Sequence, residues 1–389
     1  MDREKEYALV LAGGGTKGAY QVGVWQGLKK LNIKVKAIAG ASIGALNGAL
    51  ILQDDFEKML ELYGSVAIKD VINITGELSN GDNLFDIKNI RKLLAKFISN
   101  KGFENEPLKE LINKYIDINK IYESKIDFGL ITYSAQNKVP LQLFKNEIPK
   151  SEMVDFLLAS SCFPIYKAQK VGQMELVDGG MYDNIPINML IERGYKDIIV
   201  ADIKGPGVSR KIVDKHVYLK IISPKGNLGG TFEFNKQKIK NNIILGYLDT
   251  MKAFNEMQGH IYYFKAEEFN KMLEVFNLQT IYGLESAAKI YGLNLYHAYN
   301  MHEFLELLYT KHKKTQEKYE IIKDDLIKKQ VKNWKKNLES IFENEYSISF
   351  ATDLYLERPF SKKIRYAKKF LKSYIESVEA LIELEDYFK

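Results

Sequence analysis

The residues best suited to chemistry begin with a serine between two glycines, in Gly40-Ala41-Ser42-Ile43-Gly44. A short apolar run, Val35–Ala39, precedes this motif, and a helical pattern, Ala45–Gln53, follows it. A G-x-S-x-G motif between a strand and a helix is typical of a nucleophile elbow, a tight turn that exposes a serine hydroxyl. A serine hydroxyl attacks an acyl carbonyl once a base accepts its proton. The sequence therefore predicts that Ser42 is a nucleophile.

The candidate base is Asp178, the first residue of the turn Asp178-Gly179-Gly180. An Asp-Gly pair alone indicates only a turn. However, a nucleophilic serine needs a base, and no histidine precedes His216. Apolar neighbours would raise the pKa of Asp178 and suit it to accept a proton. A Ser-His-Asp triad that takes its base from His216 or His260 is the alternative.

A glycine cluster, Gly13-Gly14-Gly15-Thr16-Lys17-Gly18, follows a short apolar run and precedes a helical pattern. Consecutive glycines leave backbone N–H groups uncovered, and at a helix N-terminus such groups bind anions. The cluster also fits the dinucleotide fingerprint at Gly13, Gly15 and Gly18, but the next strand ends in Gly40-Ala41-Ser42 instead of the acidic residue that binds ribose. Ala19-Tyr20 after Gly18 excludes a P-loop.

Alternating strand-like and helix-like runs surround these motifs up to about Ala201. Such alternation predicts an α/β layered domain with buried parallel strands. The expected strands are Tyr7–Ala12, Val35–Ala39, the hairpin Asp127–Tyr133 with Val139–Phe144, Ile198–Asp202 and Val217–Ile222. Beyond Pro224 the only clear strand is Ile261–Phe264, and the rest is expected to be helical. We predict a catalytic domain over residues 1–257 and a helical region over 258–389.

Composition excludes several classes of protein. The 389 residues are 46% hydrophobic and carry a net charge of +6, which is typical of a globular chain and too weakly basic for nucleic-acid binding. One cysteine and five scattered histidines predict neither a disulfide framework nor a metal site. The N-terminus lacks the pattern of a cleaved leader. The longest apolar run, Ala37–Leu52, is interrupted by Ser42 and Asn47 and is too short for a transmembrane helix.

Taken in this order, the three motifs resemble the patatin-like phospholipases, serine lipid acyl hydrolases with a Ser-Asp dyad. The resemblance extends from about Tyr7 to Phe254 and includes four further segments: Ala159–Pro164, Asp183–Pro186, Phe234 and Gly246–Asp249. It implies an α/β fold with a three-layer core and a mainly parallel sheet. This chain is expected to add a C-terminal α-helical region to that core. It also implies a lipid substrate, expected to be a phospholipid or lysophospholipid at a membrane surface, and no cofactor.

The same resemblance implies the roles of individual residues. Ser42 is the nucleophile, Asp178 is its general base, and the backbone N–H groups of Gly13, Gly14 and Gly15 form the oxyanion hole. Lys17 holds the loop or favours an anionic substrate. The remaining motif residues support the turns: Gly18, Gly40, Gly44, Gly179 and Gly180. The expected location is cytoplasmic or peripherally membrane-associated. Other functions left open are a general carboxylesterase with a histidine-containing triad and a catalytically inert membrane-binding scaffold.

A basic helical pattern, Lys311–Phe342, has Trp334 on its apolar stripe, which runs through Ile322, Leu326, Val331, Leu338 and Ile341. Such a helix could lie on an anionic membrane, but its stripe is expected to pack against its own domain.

Overall fold

The computed structural model describes residues 4–72, 102–331, 346–356 and 364–389. The chain divides into two compact units, Met1–Phe254 and Asn255–Lys389. This division lies three residues before the end of the predicted catalytic domain. Trp334, Leu338 and Ile341 of the predicted basic helix lie outside the described residues.

The first unit contains an eight-stranded sheet. Its strands are β1 (Glu6–Leu11), β2 (Lys34–Ala41), β3 (Asp127–Ser134), β4 (Val139–Phe144), β5 (Gln169–Val171), β6 (Met174–Asp178), β7 (Asp197–Ala201) and β8 (Tyr218–Ile222). Their order is β5-β6-β3-β2-β1-β7-β8, with β4 paired to β3. β1, β2, β3, β7 and β8 are parallel, whereas β4 and β6 run antiparallel to β3, and β5 runs antiparallel to β6.

Helices cover both faces of this sheet. They are α1 (Ala19–Lys30), α2 (Ile43–Leu52), α3 (Phe56–Ser65), α4 (Glu106–Tyr115), α5 (Ile118–Glu123), α6 (Met153–Ser160), α7 (Ile187–Glu192) and α8 (Lys236–Ala253). On one face, Ala8 and Val10 of β1 share a buried cluster with Met189 and Leu190 of α7. On the other face, α2 packs against β1, β2 and β3, and α8 packs against β8 and α1. The predicted three-layer α/β core with a mainly parallel sheet is thereby confirmed.

The strand directions determine where functional loops meet. Since β1, β2 and β7 are parallel neighbours, their carboxyl ends lie at one edge of the sheet. The glycine cluster follows β1, Ser42 follows β2, and the segment beginning at Asp202 follows β7. The crevice beyond the carboxyl ends of parallel strands is the usual ligand site of open α/β sheets.

The second unit is mainly helical and contains a small sheet that the sequence did not predict in full. Its strands are β9 (Met257–Gln258), β10 (Tyr263–Lys265) and β11 (Ala298–Tyr299), whereas we had expected only one strand there. Two-residue strands are too short to show an alternating pattern. The helices are α9 (Ala266–Val275), α10 (Leu278–Ile290), α11 (Met301–Val331), α12 (Ser347–Leu356) and α13 (Ile364–Tyr387).

The turn before β10 is held by a buried carboxylate. Glu285 of α10 accepts backbone hydrogen bonds from His260 at 2.8 Å, from Tyr262 at 2.7 Å and from Ile261. Three N–H donors compensate for the burial of this charge, so Glu285 has a structural role. None of the helices in the described part of the chain is both long and apolar enough to cross a bilayer.

Candidate active site

Ser42 lies at the turn between β2 and α2 in a strained backbone conformation. Its φ is 54° and its ψ is −128°, values that a residue with a side chain rarely adopts. The Ser42 N–H donates to Ser160 Oγ at 3.1 Å, and this hydroxyl donates to the Ile131 carbonyl at 2.7 Å. Ser160 therefore holds the strained turn against β3, a role that sequence reasoning missed.

The glycines of the elbow allow the turn to pack tightly against β1. A Cβ at Gly44 would lie only 2.0 Å from the Leu11 carbonyl oxygen, and one at Gly40 would lie 2.4 Å from the Gly44 carbonyl oxygen. Side chains at these two positions would push α2 away from the sheet. The close approach explains why both ends of the motif are glycine.

Strand register brings Asp178 towards Ser42. Ala41 pairs with Ile131 on β3, and the next residue of β3, Thr132, pairs with Asp178 on β6. Ser42, the residue after Ala41, is thus separated from Asp178 by two strand spacings. This is about 10 Å between backbones, a gap that two side chains can span. Gly179 and Gly180 then begin a 3-10 turn that ends β6.

The carboxyl group of Asp178 is buried and only partly hydrogen-bonded. The residue is 3% exposed, and its Oδ1 accepts from the Gly180 N–H at 2.7 Å. Its Oδ2 has no hydrogen-bond partner in the part of the chain that the structure describes. Burial raises the pKa of Asp178 to about 6, and the neighbouring Ser42 hydroxyl and the Gly180 amide offset this only in part. The Ser42 hydroxyl therefore lies beside the carboxyl group of Asp178.

The three predicted oxyanion donors are not equivalent. The Gly13 N–H donates to the Asn184 carbonyl at 3.0 Å, so it is occupied. For Gly14 and Gly15, the structure shows no acceptor of either N–H within its described residues, and both glycines line the same pocket as Ser42 and Asp178. Gly15 has a φ of 61°, which favours glycine. Two of the three amides are thus free to bind an anion.

A chain of buried polar side chains fixes both ends of the glycine cluster. Gln21 Nε2 donates to the Ala12 carbonyl at 2.7 Å, and Asn47 Nδ2 donates to the Gly18 carbonyl at 3.1 Å and to Gln21 Oε1 at 2.9 Å. The Tyr63 hydroxyl donates to Asn47 Oδ1 at 3.0 Å. Because these groups satisfy one another inside the core, they hold the loop rigidly. The sequence signal for them is Asn47, a polar residue within the apolar run Ala37–Leu52.

Asn184 and Lys17 join the glycine cluster to neighbouring loops. Asn184 Nδ2 donates to the Gly13 carbonyl at 3.1 Å, and Lys17 Nζ donates to the Lys204 carbonyl at 3.0 Å. Asp183 accepts from the Ile185 N–H at 3.2 Å, so Asp183 and Asn184 both stabilise the segment after Asp178. Cys162 is buried, and burial raises the pKa of its thiol to about 12. Such a thiol is a poor nucleophile at neutral pH.

The pocket at Ser42 continues into an apolar cavity. The pocket lined by Ser42 and Asp178 shares several walls with this cavity, namely Ile43, Leu46, Val71, Leu108 and Phe232. Further along, the cavity is lined almost entirely by apolar side chains: Leu50, Leu62, Val66, Leu111, Phe234 and Ile239. An elongated hydrocarbon group could therefore extend from the serine into the core.

The described residues of this site include neither a histidine nor a cluster of metal ligands. No histidine is among the described residues that line the pocket. His216 precedes the amino end of β8, which places it at the opposite edge of the sheet from Ser42, and His260 belongs to the second unit. Across the described ranges, no three His, Cys, Asp or Glu side chains are grouped so that they could hold a metal ion. The arrangement can instead support acyl transfer to a serine with a carboxylate base.

Comparison with known proteins confirms the family resemblance inferred from the motifs. Residues 9–191 match the family model described as patatin-like phospholipase. Lysophospholipase NTE1 of Cryptococcus neoformans var. neoformans serotype D is 25% identical over 205 residues, 51% of this chain and 11% of that protein. Patatin-like phospholipase domain-containing protein 7 of Rattus norvegicus is 26% identical over 199 residues, 50% of this chain and 13% of that protein.

Both curated relatives are much longer than the segment that they share with this chain. The shared segment spans 11% of the Cryptococcus protein and 13% of the Rattus protein. Among solved structures, VipD from Legionella pneumophila aligns with 98% of this chain and 87% of its own, with a TM-score of 0.42 and 14% sequence identity.

Proposed function

We propose that this chain, whose residues 9–191 belong to the patatin-like phospholipase family, hydrolyses acyl ester bonds of lipids. Ser42 is the nucleophile and Asp178 is the general base. The observation that carries the proposal is a pocket that holds the Ser42 hydroxyl, buried Asp178 and the amides of Gly14 and Gly15. Among the described residues, Asp178 Oδ2 and these two amides have no hydrogen-bond partner.

The first half of the reaction transfers the acyl group to the enzyme. Ser42 Oγ attacks the ester carbonyl carbon while its proton passes to Asp178 Oδ2. The Gly14 and Gly15 N–H groups stabilise the oxyanion of the tetrahedral intermediate, and each such donor is worth about 3–4 kcal/mol in barrier. The C–O bond to the alcohol then breaks, and the leaving alkoxide takes the proton from Asp178.

The second half releases the fatty acid. A water molecule attacks the acyl-serine carbonyl and gives its proton to Asp178, and the oxyanion forms again between the same two amides. When this intermediate collapses, the bond to Ser42 Oγ breaks and Asp178 returns the proton to the serine. A carboxylate with a pKa of about 6 is ionised at neutral pH and still basic enough to accept these protons.

The apolar cavity next to the pocket supports a lipid substrate over a small ester. An acyl chain placed in it would lose contact with water along its length, worth about 0.8 kcal/mol per methylene. Phospholipids and lysophospholipids both supply such a chain, and we propose them as the substrate class. A general carboxylesterase would not need this cavity.

Hydrolysis of a lipid panel tests this function. We expect free fatty acid from lysophospholipid or phospholipid, identified by mass spectrometry, at higher kcat/KM than from acetyl esters. Since the base must be ionised, kcat/KM should be constant above pH 7 and fall about tenfold per unit below about pH 6. Preference for acetyl esters would indicate the general carboxylesterase. If the protein neither hydrolysed any ester nor reacted with a fluorophosphonate, the inert scaffold would be indicated.

Filling the apolar cavity should shorten the preferred acyl chain. In Leu62→Trp, the larger side chain should displace about two methylenes of a bound chain and lower kcat/KM for palmitoyl esters by about tenfold. Butyryl esters, which do not reach so far, should be hydrolysed as by the wild type. Leu278→Trp, at a 45% exposed leucine of the second unit, is the matched control. An equal loss for both ester lengths would exclude an acyl chain from this cavity.

A further inference from the structure

The loop over residues 204–213, which follows β7, exposes apolar side chains beside the catalytic pocket. Val208 is 48% exposed, Ile212 38% and Val213 64%, and Met181 in the turn after Asp178 is 49% exposed. Pro206 of the same loop lines the pocket that contains Ser42. Isolated exposed apolar residues are ordinary, but several in a loop that also supplies a wall of the pocket indicate a binding surface.

Hydrogen bonds fix the backbone of this loop, so its apolar side chains are held at the surface. The Val208 N–H donates to the Gly180 carbonyl at 2.9 Å, and the Val208 carbonyl accepts from the Asn184 N–H at 2.7 Å. Further along, Asn188 Nδ2 donates to the Lys211 carbonyl at 2.9 Å, and Asn188 Oδ1 accepts from the Val213 N–H at 3.0 Å. The loop is thus attached to the turn that carries the proposed base.

The charge of this segment is positive. The loop contains Lys204, Arg210 and Lys211 and no carboxylate, and Asp214 and Lys215 follow it. Lys204 Nζ donates to the Pro224 carbonyl at 2.7 Å. Arg210, Lys211 and Lys215 are exposed. The Arg210 guanidinium lies 4.1 Å from the centre of the Tyr182 ring. Exposed apolar tips flanked by cations are complementary to a bilayer with anionic headgroups.

We propose that the 204–213 loop and Met181 dock this protein on an anionic lipid bilayer. Val208, Ile212, Val213 and Met181 enter the headgroup boundary, and Arg210, Lys211 and the adjacent Lys215 contact the anionic headgroups. Because Pro206 lies on the pocket rim, docking would bring the mouth of the catalytic pocket to the lipid. This inference rests on the proposed lipid hydrolase function, since it assigns the surface from which that site receives its substrate.

The test measures co-sedimentation with vesicles of phosphatidylcholine containing about one third phosphatidylserine. The Ser42→Ala protein is used as background, so that binding is read without hydrolysis. In this background, Val213→Asp is expected to weaken vesicle binding by about tenfold, since it removes an apolar contact and adds charge repulsion. Val275→Asp, at a valine that is also 47% exposed and ends α9, is the matched control and should bind as the parent does.

The outcomes separate this proposal from the catalytic one. Undiminished binding of Val213→Asp, equal losses in both aspartate variants, or equal binding to vesicles of phosphatidylcholine alone would each overturn the docking surface. Absence of binding by the parent would also overturn it and favour a protein partner for the loop. Hydrolysis of a soluble short-chain ester, measured with Val213→Asp in an otherwise wild-type chain, should be unchanged, so the catalytic proposal is judged independently.

Discussion

Replacing Asp178 with asparagine is expected to lower kcat by about 10²–10⁴-fold, the usual contribution of a general base. The amide keeps the shape of the side chain, and its oxygen can still accept from the Gly180 N–H, as Oδ1 does now at 2.7 Å. An amide nitrogen in the place of Oδ2 cannot take the proton of Ser42. The loss should therefore appear in kcat, while KM for a lipid ester changes little.

The same substitution should stabilise the fold at neutral pH. The pKa of Asp178 is about 6 in the folded protein and 3.8 for the unperturbed side chain, so the unfolded chain loses its proton first as pH rises. The contribution of Asp178 to the stability of the wild type accordingly falls between about pH 4 and pH 6 and is then constant. A shift of this size corresponds to roughly 3 kcal/mol. The amide of the Asp178→Asn variant carries no charge to bury, so this contribution to the decline should be absent from that variant.

Thermal melts at pH 4 and pH 7, together with ester hydrolysis, measure both effects. Asp178→Asn should melt above the wild type at pH 7 and show little difference at pH 4. Asp183→Asn is the matched control for activity, because Asp183 is also buried, with a pKa of about 6, but it accepts from the Ile185 N–H. Its kcat should stay within a few-fold of the wild-type value. Equal losses of kcat in both variants would contradict the assignment of Asp178 as the base.

Much of the site could be predicted because its parts are local in sequence. The elbow at Ser42 requires glycines on both sides and a strand-to-helix turn, and both are visible within the segment Val35–Gln53. The choice of Asp178 followed from the need for a base, but its position beside Ser42 depends on the pairing of β6 with β3. That pairing involves short antiparallel strands, which give a weak periodic signal. The family resemblance, and not the periodic pattern of the strands, therefore predicted that the side chains of Ser42 and Asp178 lie close together.

The details that were missed all depend on contacts distant in sequence. Local pattern could not show which glycine amide is free, because the Gly13 N–H is occupied by Asn184, 171 residues away. Likewise, the link from Tyr63 to Asn47 and Gln21 joins three helices through side chains that look ordinary one at a time. Buried polar residues within apolar helical runs are the signal to follow, since burial without partners is costly. Asn47 was visible in that way, but its partners were not.

Replacing Ser42 with alanine or with glycine should abolish turnover in both cases, by at least about 10⁴-fold, because neither variant has a nucleophile. The two variants should differ in stability. At φ 54° and ψ −128° a residue with a Cβ is strained by roughly 1–3 kcal/mol, whereas glycine is not. The greater freedom of glycine in the unfolded chain offsets roughly 0.5–1 kcal/mol of that gain. We therefore expect Ser42→Gly to be more stable than Ser42→Ala by about 1 kcal/mol.

Ser161 provides the matched comparison, because it lines the same pocket with an ordinary backbone at φ −98° and ψ 7°. There glycine should be less stable than alanine, and Ser161→Ala should retain both turnover and labelling by a fluorophosphonate. Chemical denaturation of the four variants gives the two stability differences, and intact-mass analysis gives the labelling. If glycine were the less stable substitution at both positions, the elbow strain would be absent. If Ser161→Ala lost the label and Ser42→Ala kept it, the nucleophile would be the wrong serine.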